Sequence, residues 1–146
     1  MVAMHGDLYS PTEEMNSSAW HNFDLAIMSM ALHHVKDPVE MLRRLKQRLR
    51  PGGTLVIAEF LGKKEVSEKQ RQYDPNEMVE VVGKQRIWSG FTTGNLEADL
   101  TTVGLEGFDV RILEEPSHVP WSARREHFGG EQWCFFAKAV APAETA

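Results

Sequence analysis

Cysteine is nearly missing from this sequence: Cys134 stands alone among 146 residues. One thiol permits neither an internal disulfide nor a four-cysteine zinc site, and a reducing, cytoplasmic compartment is the expectation. Long apolar runs are missing too. No stretch approaches the roughly 18 apolar residues of a membrane-crossing helix, and Met1–Asp7 carries neither the basic nor the apolar segment of a secretory leader. Runs of like charge and fixed-period repeats are also absent, and 16 Lys and Arg against 21 Asp and Glu leave a net charge of −5. A nucleic-acid-binding arm and a polybasic membrane patch are therefore excluded, and membrane insertion is not expected. The glycine pairs Gly52-Gly53 and Gly129-Gly130 do not stand between a strand and a helix, and no G-x-x-x-x-G-K-[ST] pattern occurs, which excludes a phosphate-loop hydrolase.

What is present is ordinary for one folded domain, with 42% hydrophobic and 25% charged residues. The reading is a single domain over residues 1–140, followed by a frayed Ala-Pro-Ala-Glu-Thr-Ala tail at 141–146. A chain of this size buries roughly 70% of its extended surface, enough for a core without staples.

Phe23 to Leu32 is almost continuously apolar and predicts a strand buried on both faces. Asp37-Pro38-Val39-Glu40 then signals a helix start, with Asp37 as N-cap, Pro38 in the first turn and Glu40 at the capping-box position. Val39, Leu42, Leu45 and Leu49 form the inward stripe of that helix, and Arg43, Arg44, Lys46, Gln47 and Arg50 face mostly outward. Pro51-Gly52-Gly53 ends it, and Thr54–Phe60 predicts a second buried strand, completing a right-handed βαβ unit with parallel strands. Glu77–Arg86 predicts a short helix with Met78, Val81 and Val82 inside. Thr92 or Thr93 caps a further helix with Leu96, Leu100 and Val103 on one side and Gly104 as its left-handed terminator. Phe108–Glu114 alternates like a half-exposed strand, and Gln132–Lys138 is a last β-prone run. The connection 115–131, with Pro116, Pro120 and Trp121, is long enough to suggest a functional flap.

Two segments carry a family resemblance: Phe23-Asp24-Leu25 through Ser29-Met30-Ala31-Leu32-His33-His34-Val35-Lys36-Asp37-Pro38, and Leu49-Arg50-Pro51-Gly52-Gly53-Thr54-Leu55-Val56-Ile57. Together they resemble the second half of a class I S-adenosylmethionine-dependent methyltransferase of the small-molecule branch. The resemblance implies an α/β, Rossmann-like, mostly parallel sheet ending in an antiparallel hairpin. It also implies S-adenosyl-L-methionine as cofactor and a small-molecule acceptor. Met1–Leu8 is similar to the family's third strand and the Gly-Asp dipeptide after it, so the first two βα units, with their acidic-Gly-x-Gly turn, are lacking. Strand Leu25–Met30 would then expose an edge. Either the chain is a fragment or truncated product, or the N-terminal strand moves in to close the sheet. An inactive remnant, or a subunit pairing as a homodimer or with another chain through that edge, is the alternative to an active enzyme.

The resemblance further assigns Asp7 to the adenine amino group, with Leu8 on the ring, and Met28, Ser29 and Met30 to the methionyl and sulfonium side. An Asp7 that caps a turn and a Met28 that fills core are the competing readings. His33 and His34 are adjacent on a turn, so they point different ways and do not chelate one metal ion; no metal site is expected. The resemblance sets them near the substrate, with His34 the candidate base, against a packing role. Glu59 either faces the acceptor or closes its strand against solvent. Trp121, with Trp133 and Phe128, either lines a flat substrate pocket or fills core. Cys134 should be inert, and His5, His21, His118 and His127 receive no role.

Overall fold

The computed structural model describes residues 3–61, 78–81, 85–88, 91–119 and 130–143. Its centre is a four-stranded sheet built from β1 (Phe23–Ser29), β2 (Leu49–Phe60), β8 (Cys134–Val140) and β5 (Glu106–Ile112), in the order β1-β2-β8-β5. The pair β1–β2 is parallel, with Leu25 beside Thr54 and Ser29 beside Ala58. Strand β8 inserts antiparallel between β2 and β5, so the chain closes in an antiparallel hairpin as the resemblance implies.

Helix α1 (Pro38–Lys46) joins β1 to β2, and α2 (Thr93–Thr102) precedes β5. Both pack on one face of the sheet. Leu42 of α1 and Leu96 and Leu100 of α2 meet Leu55, Ile57, Phe135, Ala137 and Ala139, all on the strand positions that point to that side. Alternation along β2 and β8 puts these residues on a common face, which is why the core is one continuous layer between helices and sheet.

The predicted helix start at Asp37 is observed: its carboxylate accepts from the Glu40 N–H at 2.9 Å. The Glu40 side chain does not reach back to complete the box. It is drawn forward to Arg44 at 2.7 Å and to Arg43, one turn along the same helix. The helix also ends earlier than its stripe suggests, at Lys46, and Leu49 lies in β2. The Arg48 N–H closes a turn onto Leu45, and the Arg48 carbonyl accepts from Phe23 N–H at 3.0 Å, which starts the sheet. Pro51-Gly52-Gly53 therefore sits inside β2 as an irregularity. A Cβ on Gly53 would lie 2.8 Å from the Phe23 carbonyl oxygen, so only glycine lets the two backbones approach there.

Thr92 caps α2, its hydroxyl accepting from Asn95 N–H at 3.1 Å. At the other end Gly104 takes φ +75°, Gly104 N–H donates to Thr101 O and Leu105 N–H to Leu100 O, which is a Schellman closure. Strand β5 begins and ends two residues earlier than predicted, and β8 runs two residues later. The short helix expected at 77–86 is not found. Met78–Val81 (β3) and Gln85–Trp88 (β4) pair antiparallel, because Val79, Val81, Ile87 and Trp88 are strand formers and outweigh a weak helical spacing. Within the 115–131 connection, Ser117–Val119 (β6) pairs with Gly130–Gln132 (β7), making part of that segment a narrow hairpin.

Strand β1 is not buried on both faces. Leu25 is 49% and Ile27 62% exposed, because among the described residues β1 pairs with β2 alone and α1 and α2 lie on the opposite face with Ala26 and Met28. Nor does the N-terminal segment close the sheet. Residues 3–7 form no strand and pass beside β1, leaving a cleft of about 310 Å³ lined by Met4, Gly6, Leu8, Trp20, Leu25 and Ile27 among others. That segment is held to α1 instead. Arg44 donates to the Leu8 carbonyl at 2.7 Å and lies 5.6 Å over the Tyr9 ring, while the Tyr9 hydroxyl donates to the Asp37 carbonyl at 2.7 Å.

Candidate functional site

In an open α/β sheet, ligands gather outside the carboxyl ends of the parallel strands. Here those ends are Ser29 of β1 and Phe60 of β2, one strand apart. Met30 follows β1 with φ +49°, a left-handed backbone that a methionine rarely adopts, and its N–H donates to Ala58 O at 2.8 Å, which keeps the turn tied to β2. The chain then coils through a single 3-10 turn, Leu32–His34, which sets His33 inward and His34 outward. Ser29 is exposed, and Met28 and Met30 are half-buried. Met28 packs against the core cluster, as its competing reading had it.

Glu59 is the least expected member of this end of the sheet. It is 0% exposed, turned inward at the end of β2. Its Oε1 lies 2.7 Å from His33 Nδ1 and accepts from Phe60 N–H at 2.9 Å, while Oε2 accepts from His33 N–H at 3.2 Å. His33 is 4% exposed. Its ring lies 4.2 Å from that of His34 and 5.5 Å from that of Phe60. Taking a carboxylate out of water is costly unless donors replace the lost hydration, and three donors do so here. The sequence contained both halves of this pair. What would have linked them is register: a Glu on the inward face at the end of one strand, beside a His on the turn that leaves the parallel neighbour.

Asp7 caps a turn. Its Oδ1 accepts from Tyr9 N–H at 2.8 Å, and its backbone carbonyl accepts from Ser10 N–H. It remains exposed, and Leu8 is half-buried against the core. Trp121 and Phe128 lie outside the described residues, and Trp133 is 44% exposed. No group of three or more His, Cys, Asp or Glu among the described residues could hold a metal ion. Cys134 is buried in β8 with Ser117 Oγ at 3.7 Å. Among the described residues no helix is long and apolar enough to cross a membrane.

The site and fold compare with known proteins as follows. A family model described as a methyltransferase domain matches residues 2–108. An S-adenosylmethionine-dependent methyltransferase from Methanosarcina mazei superposes with a TM-score of 0.53 at 22% identity, covering 90% of this chain and 66% of its own. The cyclase SpnF gives 0.58 at 17% identity, covering 92% and 56%. A phosphoethanolamine N-methyltransferase 2 from Haemonchus contortus, in complex with S-adenosyl-L-methionine, gives 0.51 at 15%, covering 82% and 33%. The chain thus spans from about a third to about two thirds of the length of these structures. Curated proteins yield no significant match. The superpositions describe the fold, and one fold carries several chemistries, as a cyclase among them illustrates. The family assignment rests on the match over residues 2–108: the chain belongs to the methyltransferase-domain family, with the sheet of a class I S-adenosylmethionine-dependent methyltransferase.

Proposed function

We propose that this chain supplies one wall of an S-adenosylmethionine-dependent methyltransferase site that passes a methyl group to a small-molecule acceptor. The observation that carries the reading is the family match over residues 2–108, which spans the β1 and β2 ends together with the turn between His33 and Asp37. Ser29 and Met30 would lie along the methionyl and sulfonium side. Asp7, with one oxygen engaged by Tyr9 N–H, would offer the other to the adenine amino group, and Leu8 would pack on the ring. His34, exposed beside the sheet end, would face the acceptor.

The residues present fit part of the cofactor. An exposed hydroxyl and a tightened turn at the end of β1 suit its sulfonium side, but the acidic-Gly-x-Gly turn for its methionyl carboxylate is not in this sequence. When bound, the cofactor supplies an electrophilic methyl group; this chain's own residues orient the acceptor and exclude water. In this reading His34 holds the acceptor's donor group, and Glu59 and His33 hold His34's surroundings. A cytoplasmic location belongs to the same proposal, supported by a sequence whose single cysteine can form no internal disulfide.

A second reading is favoured by one specific observation: β1 ends the sheet with Leu25 and Ile27 in the open. In it the chain is a catalytically inactive subunit that pairs through this edge. Isothermal titration with S-adenosylhomocysteine separates the two. Saturable micromolar binding, lost in Asp7→Ala/Ser29→Ala, supports the first; a folded chain that gives no heat overturns it for the chain on its own.

A further inference from the structure

We infer that Glu59 is a positioning residue, which fixes the tautomer and orientation of His33 and thereby the setting in which His34 is presented at the carboxyl ends of β1 and β2. The inference rests on reading that end of the sheet as the acceptor side.

The geometry is constrained from three directions. Both Glu59 oxygens already accept a backbone N–H, Oε1 from Phe60 and Oε2 from His33 itself. The carboxylate therefore meets only donors, and the ring nitrogen 2.7 Å from Oε1 carries the hydrogen. His33 is thus assigned a proton on Nδ1, the nitrogen from which Oε1 accepts. The ring cannot turn about its side-chain torsions without breaking the Nδ1 bond, and the backbone N–H bond ties the residue that carries the ring to the same carboxylate. Its neighbour is the ring of His34, 4.2 Å away and tilted by 40°.

Stability alone does not account for the pair. A buried ion or imidazole–carboxylate pair gains little over apolar side chains of similar volume, and the rest of this face, Leu55, Ile57 and Phe135, is apolar. The polar pair occurs at the strand ends, where the sheet meets its ligand side, and fixing a histidine's second nitrogen by a carboxylate is how an imidazole's working nitrogen is set.

The experiment is long-range proton–nitrogen correlation NMR on the full 146-residue chain with labelled histidine. His33 is expected to show a protonated Nδ1. Glu59→Gln must turn an NH2 either toward Phe60 N–H and the His33 ring or toward the His33 backbone N–H, so at least one bond of the clamp breaks in each orientation, and the His33 ring signals and the His34 ring resonances should both shift. Leu55→Ala, which weakens the core without touching the pair, should leave both unchanged. An Nε2–H tautomer in the unmodified chain overturns the inference, and so do His34 resonances that stay put in Glu59→Gln. The first of these outcomes needs no variant to fold. S-adenosylhomocysteine titrated into the same sample reads the other question: absent binding with the Nδ1–H signature intact sinks the cofactor reading, whereas binding with the wrong tautomer sinks this one.

Discussion

The ammonium of Lys46 donates to the carbonyl of Val103 at 2.9 Å, so the last turn of α1 closes the C-terminus of α2. A cation at a helix C-terminus satisfies an orphan carbonyl and complements the helix dipole. The two helices are thereby latched at one end in addition to sharing the core.

Gly104 stands just beyond that latch. Its φ of +75° is unfavourable for any side chain, and a Cβ would lie 2.8 Å from Lys46 Nζ. Gly104→Ala is expected to cost about 1–2 kcal/mol in urea unfolding, most of it from the backbone, because the lysine tip can swing aside. Lys46→Met should cost about 1 kcal/mol, and the double variant should fall short of the sum because both act on one contact.

Leu100 is 1% exposed and sits in the cluster that joins α2 to the sheet. Leu100→Ala removes three buried carbons and leaves a cavity that the rigid strands β2 and β8 cannot fill. A loss of about 2–5 kcal/mol is expected by chemical denaturation, against less than about 0.5 kcal/mol for a solvent-facing change such as Glu97→Gln.

Acid should loosen the clamp on α1. The hydrogen bonds from Arg44 and then Arg43 hold the Glu40 carboxyl below its ordinary value of 4.5. A carboxyl depressed in the folded state contributes stability above its unfolded pKa and loses it as pH falls through the folded one. The melting temperature should therefore drop below about pH 4.5, and Arg44→Gln should flatten that part of the profile. The pair is largely exposed, so the effect is small and weakens further in salt.

Ile27 tests the sheet edge. At 62% exposure it contributes little to the core, and Ile27→Lys should change stability by less than about 0.5 kcal/mol. A charge on an open edge blocks strand addition, so the same variant should reduce self-association measured by sedimentation velocity. Association that survives the lysine would place it elsewhere.

The elements most legible in the sequence are those announced by local chemistry. Asp37 and Pro38 mark the start of α1, Thr92 and Gly104 bracket α2, and Leu96, Leu100 and Val103 line its buried side. What local chemistry does not reveal depends on who the neighbours are. Leu25 and Ile27 read as buried because their side chains are apolar, yet their burial hangs on a strand and a layer that the described residues do not contain. Met78–Val81 carries a helical spacing that its β-propensity overrides once β4 lies beside it. The Glu59–His33 pair stayed hidden because its partners are brought together only by the β1–β2 register.

The insertion of β8 between β2 and β5 also orders events in time. Strands β1 and β2 are joined by a short helix and can associate early, but the central ladder, from Thr54–Val140 to Phe60–Cys134, must wait for residues far along the chain. Until β8 arrives, both sides of the β1–β2 pair are open, and α2 has only half of its platform. A growing chain would therefore carry β1 and β2 without their antiparallel neighbour while residues 61–133 are made, and an unpaired apolar strand edge is open to wrong pairing over that interval.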